Sequence, residues 1–308
     1  LVESGEIEPL QVNDILPNDE DIEELASMLE KAKRPLLWIG GGARHAQAEV
    51  QKLAGMGFGV VTSIQGRGVV PEGDDCSLGA YNLYPNIEEF YQTCDAMLVV
   101  GSRLRGNETL KYKLKLPSPL YQVDVDPTLS KRPYQPEKTV IGDSKLVLSK
   151  LAAKLGNRMN IDENFWGDIK KARQISMENL SKNFIQPYEN LVSAIQASNS
   201  GDFVWVRDVT ISNSTWGNRA IHIQSPKDGL HAVGGGIGQG LQMAIGAAMA
   251  DRRRKVVCLV GDGGLQLNIG EMLTASEENA NITMLSLIHI SEPTRRYAIS
   301  YAVFCLKK

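Results

Sequence analysis

The sequence predicts an α/β protein made of two doubly wound parallel-sheet domains. Short runs that are apolar at every position alternate with segments of helical spacing, as expected where parallel strands are covered on both faces. This alternation occurs in both halves of the chain, and a charged stretch at 156–184 separates the halves. A length of 308 residues also suits about two domains.

The first domain is predicted over residues 19–155. Its opening helix, IEELASMLEKAK, follows Asn18-Asp19-Glu20-Asp21, which offers helix-capping chemistry. Apolar strands then alternate with helices until the closing helix SKLVLSKLAAKL. The predicted strands are LLWIG from Leu36, GVVTS from Gly59, AMLVVG from Ala96, LYQVDVDP from Leu120 and TVIGD from Thr139.

The second domain is predicted over residues 185–284. The amphipathic segment YENLVSAIQ precedes a strand, FVWVRDVT, and AIHIQ from Ala220 is a further short apolar run. The small-residue helix GLQMAIGAAMA leads to the strand KVVCLVGDGG, which LNIGEMLTASEE follows as a helix. The segment ITML from Ile282 begins another strand.

Two stretches outside the sheets are predicted to be linkers. Residues 1–18 are polar and irregular, with Pro9 and Pro17, which is typical of a chain leaving an earlier domain. Residues 156–184 are charged and mostly helical, and they have no apolar core of their own. They are therefore predicted to cross from the first domain to the second.

The tail at 285–308 is predicted to be foreign to the fold. The α/β periodicity is lost after Met284, and LSLIHISEPTRRYAISYAVFCLKK resembles one reading frame of a sequencing adapter. A segment of that origin has no bearing on the fold. His289 and Cys305 are therefore assigned no functional role.

Composition narrows the function classes. The chain is 43% hydrophobic and has a formal net charge of -3, so neither a nucleic-acid-binding surface nor a disordered tail is indicated. No apolar run reaches the length of a membrane span, and the 4 cysteines lack CxxC spacing. These features predict a cytoplasmic protein without a disulfide framework, a zinc site or a membrane association.

The clearest chemical motif follows the strand VVCLV. Gly261–Gly264 have the sequence Gly-Asp-Gly-Gly, which places glycine amides where they can approach phosphate oxygens at the carboxyl end of a strand. Asp262 supplies the oxygen ligand that Mg²⁺ prefers. The same residues would also suit an ordinary tight turn, so the motif alone is weak.

A second glycine-rich stretch, Gly234–Gly240, precedes the next helix and contains one large apolar residue, Ile237. It matches neither the dinucleotide fingerprint nor the phosphate-binding P-loop, and a flexible loop is the simpler interpretation. Asp208, at the end of FVWVRDVT, is by itself typical of a cap or turn residue.

Taken in order, strand–aspartate, glycine-rich loop, then strand–GDGG–helix with Asn268 and Glu271 resembles the diphosphate-binding domain of thiamine-diphosphate enzymes. The resemblance implies that Asp262 holds Mg²⁺, that Ile237 supports the bent cofactor, and that residues 213–216 lie near the diphosphate or the active site. The implied cofactor-binding set is Gly236, Ile237, Gly238, Gly261, Asp262, Gly263 and Gly264.

The first half resembles the central, Rossmann-like domain of the same enzymes. The segments GGGARHA, TSIQGRGVVPEGDDCSLGAYN, LVVGSRL and YQVDVDP carry the likeness. Some members bind FAD in this domain, and Gly41, Arg103 and Asp124 stand at positions that could touch a nucleotide. Arg103–Gly106 departs from the acidic Arg-Phe-Asp-Asp-Arg pattern of acetolactate synthases, so FAD and ordinary loop roles both remain open.

The resemblance also implies parts that these residues do not supply. The family's glutamate, which acts on the aminopyrimidine ring, belongs to a pyrimidine-binding domain ahead of residues 1–18, so no catalytic residue is assigned in this chain. A Mg²⁺-binding asparagine is expected near His289, inside the tail, so the diphosphate domain is expected to be truncated. The parent is expected to be a homodimer or homotetramer.

The resulting function prediction is a fragment of a thiamine-diphosphate- and Mg²⁺-dependent enzyme. The parent would be a lyase or transferase of the acetolactate synthase type that decarboxylates or joins 2-oxo acids, and the isolated chain is expected to be inactive. Two alternatives remain. One is a nucleotide-binding protein related to sirtuins or electron-transfer flavoproteins, and the other is a non-catalytic homologue that has lost the cofactor.

Overall fold

The computed structural model describes residues 13–128, 132–156, 159–185, 188–198, 202–210, 212 and 216–287, with the backbone of 302–305. Across these ranges the chain is a mixed α/β protein with two sheets, as predicted. Residues 213–215 and His289 lie outside the described residues, as does the rest of the predicted tail apart from 285–287 and the backbone of 302–305. Within the described part, no helix combines the length and apolarity that a membrane crossing requires.

The first sheet contains the strands β1 Pro35–Ile39, β2 Gly59–Thr62, β3 Ser77–Gly79, β4 Ala96–Val100, β5 Leu120–Asp124 and β6 Lys138–Ile141. Their order in the sheet is β3-β2-β1-β4-β5-β6, and all of the pairs are parallel. This is the order found in dinucleotide-binding folds, in which the order reverses beside the first strand. Strands β1, β2 and β4 are buried at every position, which explains their almost continuous apolar sequences.

Two helices of this domain, α1 Asp19–Leu29 and α4 Ser144–Leu155, begin at residues whose side chains cap them. The Asn18 side chain accepts a hydrogen bond from Glu20 N at 2.8 Å, and the Asp143 side chain accepts from Lys145 N at 2.9 Å. Both caps satisfy amide groups that have no partner within the helix. The helices are α1 Asp19–Leu29, α2 Gln47–Gly55, α3 Pro85–Tyr91 and α4 Ser144–Leu155.

The predicted linker at 156–184 packs against the first domain. Its helix, α5 Phe165–Leu180, lies against β2, β3 and α3, and Phe165 and Ile169 are fully buried. Arg34 ties the segment to the first domain through Asp162 at 2.8 Å and Asp168 at 2.7 Å. The segment has no separate core because its apolar side chains complete the core of the first domain.

Shortening Ile169 to valine tests this packing. Ile169→Val removes one buried methylene group and is expected to lower the free energy of unfolding by about 0.5–1.5 kcal/mol. Ile175→Val, on the same helix but 38% exposed, is the matched control and is expected to have little effect. Urea denaturation of both variants measures the difference. Equal losses would contradict the described packing of α5.

The elements of the second domain are α6 Glu189–Ala197, β7 Phe203–Arg207, β8 Gly229–His231, α7 Gly240–Ala250, β9 Lys255–Gly261, α8 Asp262–Leu267, α9 Glu271–Glu277, β10 Ile282–Leu287 and β11 Ala302–Cys305. The strand order of this second sheet is β11-β10-β9-β7-β8. Parallel pairs join β10, β9, β7 and β8, and helices cover the sheet as predicted.

Strand β10 spans the position at which the second domain is predicted to end. Strand β10 continues to Leu287, past the predicted limit at 284. The described backbone of β11 then pairs with β10 in antiparallel orientation. Pairing of this kind uses backbone groups, so the predicted foreign origin of the tail stays a prediction.

The short apolar run AIHIQ forms no strand. Ile221 and Ile223 are buried against the first domain, and the Ile223 amide donates to Glu72 Oε2 at 2.9 Å. Arg67 donates to Ile221 O at 2.5 Å and pairs with both oxygens of Glu72 at 2.6 Å. This buried ion pair therefore joins the first domain to a loop of the second domain. Strand β8 begins after this loop in the sequence.

Candidate functional site

The carboxyl ends of β7 and β9 bring two aspartates to one edge of the second sheet. Asp208 follows β7 directly, and Asp262 begins α8 directly after β9. The two strands are parallel neighbours, and Asp208 N donates to Leu259 O at 2.8 Å. Open α/β sheets bind their ligands at this edge. The glycine-rich loop at 233–239 lies at the same edge, where its Gly238 contacts Asp208.

Asp208 anchors the glycine-rich loop. Asp208 is 1% exposed, and its carboxylate accepts hydrogen bonds from Gly238 N at 2.8 Å and Val209 N at 2.7 Å. A buried carboxylate needs such donors, since an unsatisfied one is costly. Asp208 is therefore an organising residue of the site, a more specific role than the cap or turn that the sequence indicates.

Two glycines pack directly on Asp208. A Cβ atom at Gly264 would lie 2.7 Å from Asp208 Oδ2, and one at Gly240 would lie 2.8 Å from Asp208 Cβ. Both distances are shorter than van der Waals contact allows. The first turns of α7 and α8 can therefore approach the aspartate only because glycine occupies these positions.

Gly264→Ala is expected to force the loop away from Asp208 and to lower the free energy of unfolding by about 1–3 kcal/mol, as overpacked sites do. Gly263→Ala is the matched control, because nothing lies within 4 Å of a Cβ at Gly263. Alanine also favours helix over glycine there, so the control should be neutral or slightly stabilising. Urea denaturation measures the free energy of unfolding of both variants. An unchanged value in Gly264→Ala would contradict the close approach.

Further hydrogen bonds hold the loop in shape. Gln239 Nε2 donates to Val233 O and Gly236 O, both at 3.0 Å, and Gln239 Oε1 accepts from Val233 N at 3.1 Å. Asn268 Nδ2 donates to Gly238 O at 2.7 Å. Gly238 has φ +86°, a conformation that glycine adopts without strain. The hydrogen bond from Asn268 thus connects the glycine-rich loop to the segment that follows the Gly-Asp-Gly-Gly motif.

Ile237 stands at the exposed side of this loop. Its side chain is 53% exposed, and Leu267, the last residue of α8, is 60% exposed. The neighbours of Ile237 are fixed by the hydrogen bonds to Gly236 and Gly238, so its position is set by the loop. An apolar side chain presented from a fixed loop can contact the hydrocarbon or ring part of a ligand.

Asp262 stands at the start of α8, partly exposed, where its Oδ1 accepts from Gly263 N at 2.8 Å. Among the described residues, no group of three His, Cys, Asp or Glu side chains could hold a metal. A hard cation that shares its ligands between one carboxylate and phosphate oxygens fits these residues, and this is how Mg²⁺ is often bound. A metal held by protein side chains alone does not fit them.

The residues predicted to touch a nucleotide are only partly brought together. Gly41 and Arg103 line a cavity of about 420 Å³ at the carboxyl ends of β1, β2 and β4. Asp124 is not among its lining residues; its Oδ1 accepts from Asp126 N at 3.1 Å. Burial raises the pKa of the Asp124 carboxyl, while the backbone amides of Val125 and Asp126 oppose this shift.

Two segments of the chain match models of known protein families. Residues 22–151 match the family model "Thiamine pyrophosphate enzyme, central domain", and residues 210–287 match "Thiamine pyrophosphate enzyme, C-terminal TPP binding domain". The chain belongs to the thiamine pyrophosphate enzyme family. All seven residues of the predicted cofactor-binding set lie inside the second match, whose family implies thiamine diphosphate as the cofactor.

Curated relatives of this family member include acetolactate synthases. The isozyme 1 large subunit from Escherichia coli is 28% identical over 282 residues, covering 87% of this chain and 48% of the relative. Acetolactate synthase 2 from Nicotiana tabacum is 23% identical, with 88% of this chain and 42% of the relative covered. The chain thus spans about half the length of the curated relatives it matches.

A solved structure from Mycobacterium smegmatis, described as a thiamin diphosphate-dependent enzyme, has the same fold. It superposes with a TM-score of 0.69 at 19% identity and covers 97% of this chain and 58% of that one. At this identity the likeness concerns the fold, which is the two-sheet arrangement described above.

The family motif does not identify every residue that shapes the site. Gly238 N donates a hydrogen bond to Asp208, and Gly238 O accepts one from Asn268. Each partner lies 30 residues away in sequence. Local patterns carry no signal for such contacts. Trp216, at the end of the stretch expected near the diphosphate, is 1% exposed and packs on Trp205 and Tyr188, so it is a core residue.

Proposed function

We propose that the chain provides the diphosphate-binding half of a thiamine-diphosphate- and Mg²⁺-dependent enzyme that decarboxylates or joins 2-oxo acids. The observation that carries the proposal is the joint anchoring of both glycine-rich loops around Asp208. Asp262, which is partly exposed, and Gly263, which is exposed, stand at the same sheet edge, and the Gly263 amide donates to Asp262 Oδ1. The acetolactate synthase relatives favour this reaction class over other uses of the cofactor.

Each loop has a separate role in this proposal. Asp262 would hold the Mg²⁺ ion, and the backbone around Gly263 and Gly264 would approach the diphosphate. Ile237, with Gly236 and Gly238 beside it, would support the rings of the cofactor. When bound, thiamine diphosphate supplies a nucleophilic carbon and an electron sink for loss of CO₂. The protein residues named here bind and orient it and transfer no proton.

The 308 residues alone are proposed not to turn over a 2-oxo acid. The glutamate that the family uses on the aminopyrimidine ring has no counterpart assigned in this chain, and the relatives are about twice as long as the aligned part. We propose that the complete protein is a cytoplasmic homodimer or homotetramer. FAD is left out of the proposal because Arg103–Gly106 lacks the acidic pattern and Asp124 stands apart from the Arg103 cavity.

Calorimetric titration of the chain with thiamine diphosphate tests the proposal. Saturable binding is expected with Mg²⁺ present, with a large loss of affinity when EDTA removes the metal. Binding of NAD or a flavin without thiamine diphosphate would favour the nucleotide-binding alternative. A folded chain that binds none of these ligands would support the non-catalytic homologue.

A further inference from the structure

A second cavity lies between the two domains, beside the glycine-rich loop. Its volume is about 610 Å³. Gln65 and Arg105 line it from the first domain, Arg207 and His231 from the second, and Gly234 and Gly235 close one side. The cavity therefore borders the loop that carries the proposed cofactor-binding residues, on the side that faces the first domain.

Arg207 is the unusual residue of this cavity. It ends β7, it is 4% exposed, and among the described residues its guanidinium has no ion pair. Burial, together with the nearby cations Arg67 and Arg219, lowers its pKa to about 9, so it still carries its charge at neutral pH. A buried cation that faces other cations needs an anion from elsewhere, since unpaired buried charges are costly.

The neighbours of Arg207 do not supply that anion. Glu108 is a carboxylate on the cavity wall, but it pairs with Arg105 at 3.6 Å. His231, the register partner of Arg207 on β8, is neutral, because burial and the surrounding arginines lower its pKa to about 3. Arg219 donates to Ala80 O at 2.8 Å and adds positive charge.

We infer that this cavity binds the carboxylate of a 2-oxo acid substrate, with Arg207 as its anchor. A guanidinium binds a carboxylate through two parallel hydrogen bonds, and the neutral His231 beside it can add a hydrogen bond without repelling the ligand. Gly234 and Gly235 border the cavity, so an acid held there would lie next to the glycine-rich loop. This inference rests on the proposed function and assigns Arg207 as a specificity-determining residue.

The site can be tested on the 308-residue chain through its own tryptophans. Trp205 and Trp216 are buried and in mutual contact, and Trp205 lies two positions before Arg207 on β7. Pyruvate and 2-oxoglutarate are titrated with and without thiamine diphosphate and Mg²⁺, while fluorescence is recorded. Acetone serves as a ligand without a carboxylate, and inorganic phosphate as a different anion.

Arg207→Met is expected to weaken binding of the 2-oxo acids at least about tenfold, the effect of losing a charge-assisted hydrogen-bonded pair. Acetone should not bind to either protein. Arg253→Met removes the same charge from a side chain that is 90% exposed, and it should leave affinity unchanged. Arg207→Lys keeps the charge without the paired geometry and should retain part of the affinity.

Thermal unfolding separates a ligand-binding arginine from a structural one. Removing an unpaired buried cation should leave the melting temperature of Arg207→Met equal to or above that of the unchanged chain. A lower melting temperature in both Arg207 variants would assign a structural role and overturn the inference. Binding of phosphate without the 2-oxo acids, or equal affinity in Arg207→Met, would also overturn it.

The outcome is distinguishable from failure of the proposed function. If the chain binds thiamine diphosphate with Mg²⁺ but no 2-oxo acid, the Arg207 inference fails and the proposed function stands. If the chain binds no thiamine diphosphate, the proposed function fails, and the 2-oxo acid inference, which rests on it, fails as well.

Discussion

Asp262→Ala is expected to abolish the Mg²⁺-dependent part of thiamine diphosphate binding. No group of three acidic, His or Cys side chains in the described ranges could replace Asp262 as a metal site. Outer groups that merely orient a metal ligand contribute about 10–100-fold to affinity, so loss of the ligand itself should cost at least about 100-fold. Calorimetric titration with and without Mg²⁺ measures both affinities.

The Asp262 experiment needs a control for lost negative charge. Glu277→Ala removes an exposed carboxylate from α9, away from the sheet edge, and should leave cofactor affinity unchanged. Asp262→Asn keeps an oxygen ligand without the charge and should lie between the extremes. An unchanged affinity in Asp262→Ala would refute the assignment of Asp262 to the metal.

Arg67→Met is expected to lower the free energy of unfolding by about 3–5 kcal/mol, the cost of breaking a buried ion pair on one side. Arg67 and Glu72 are 6% and 7% exposed, and their pair also holds Ile221 O and Ile223 N of the second domain. Removing Arg67 leaves the Glu72 carboxylate buried with one backbone donor. Urea denaturation measures the loss.

An exposed ion pair provides the matched control for Arg67. Lys170 and Asp75 approach to 2.9 Å, but both side chains are more than half exposed, at 55% and 56%. Asp75→Asn should therefore cost at most about 1 kcal/mol. The double variant Arg67→Met, Glu72→Leu should regain part of the stability lost in Arg67→Met, because no buried charge remains. A similar small loss in both single variants would contradict the joining role of Arg67.

Sequence reasoning predicted the sheets because their strands are buried on both faces. Leu36 and Val99 come from such runs, and uniform apolarity identifies a parallel strand without any partner information. The GDGG motif around Asp262 was also visible, since the chemistry is concentrated in four consecutive residues. The strand order could not be predicted, because it depends on which uniformly apolar run pairs with which.

The residues that sequence reasoning missed act across long separations. Arg67 contacts Ile221 from 154 positions away, and Arg207 acquires its significance from a cavity wall built by both domains. Ile221 lies in an apolar run, yet it packs on the first domain rather than entering the sheet. Apolarity predicts burial in each case, but it does not specify which surface buries the residue.

Cutting the chain between its two domains would expose a hydrophobic cluster that both domains share. One buried cluster contains Trp38 and Phe165 of the first half together with Trp205 and Ile221 of the second. A protein cut within 156–184 would leave part of this cluster open to water in each piece. Separate expression of either domain should therefore give aggregation-prone material, and calorimetry of the uncut chain should show one cooperative melting transition.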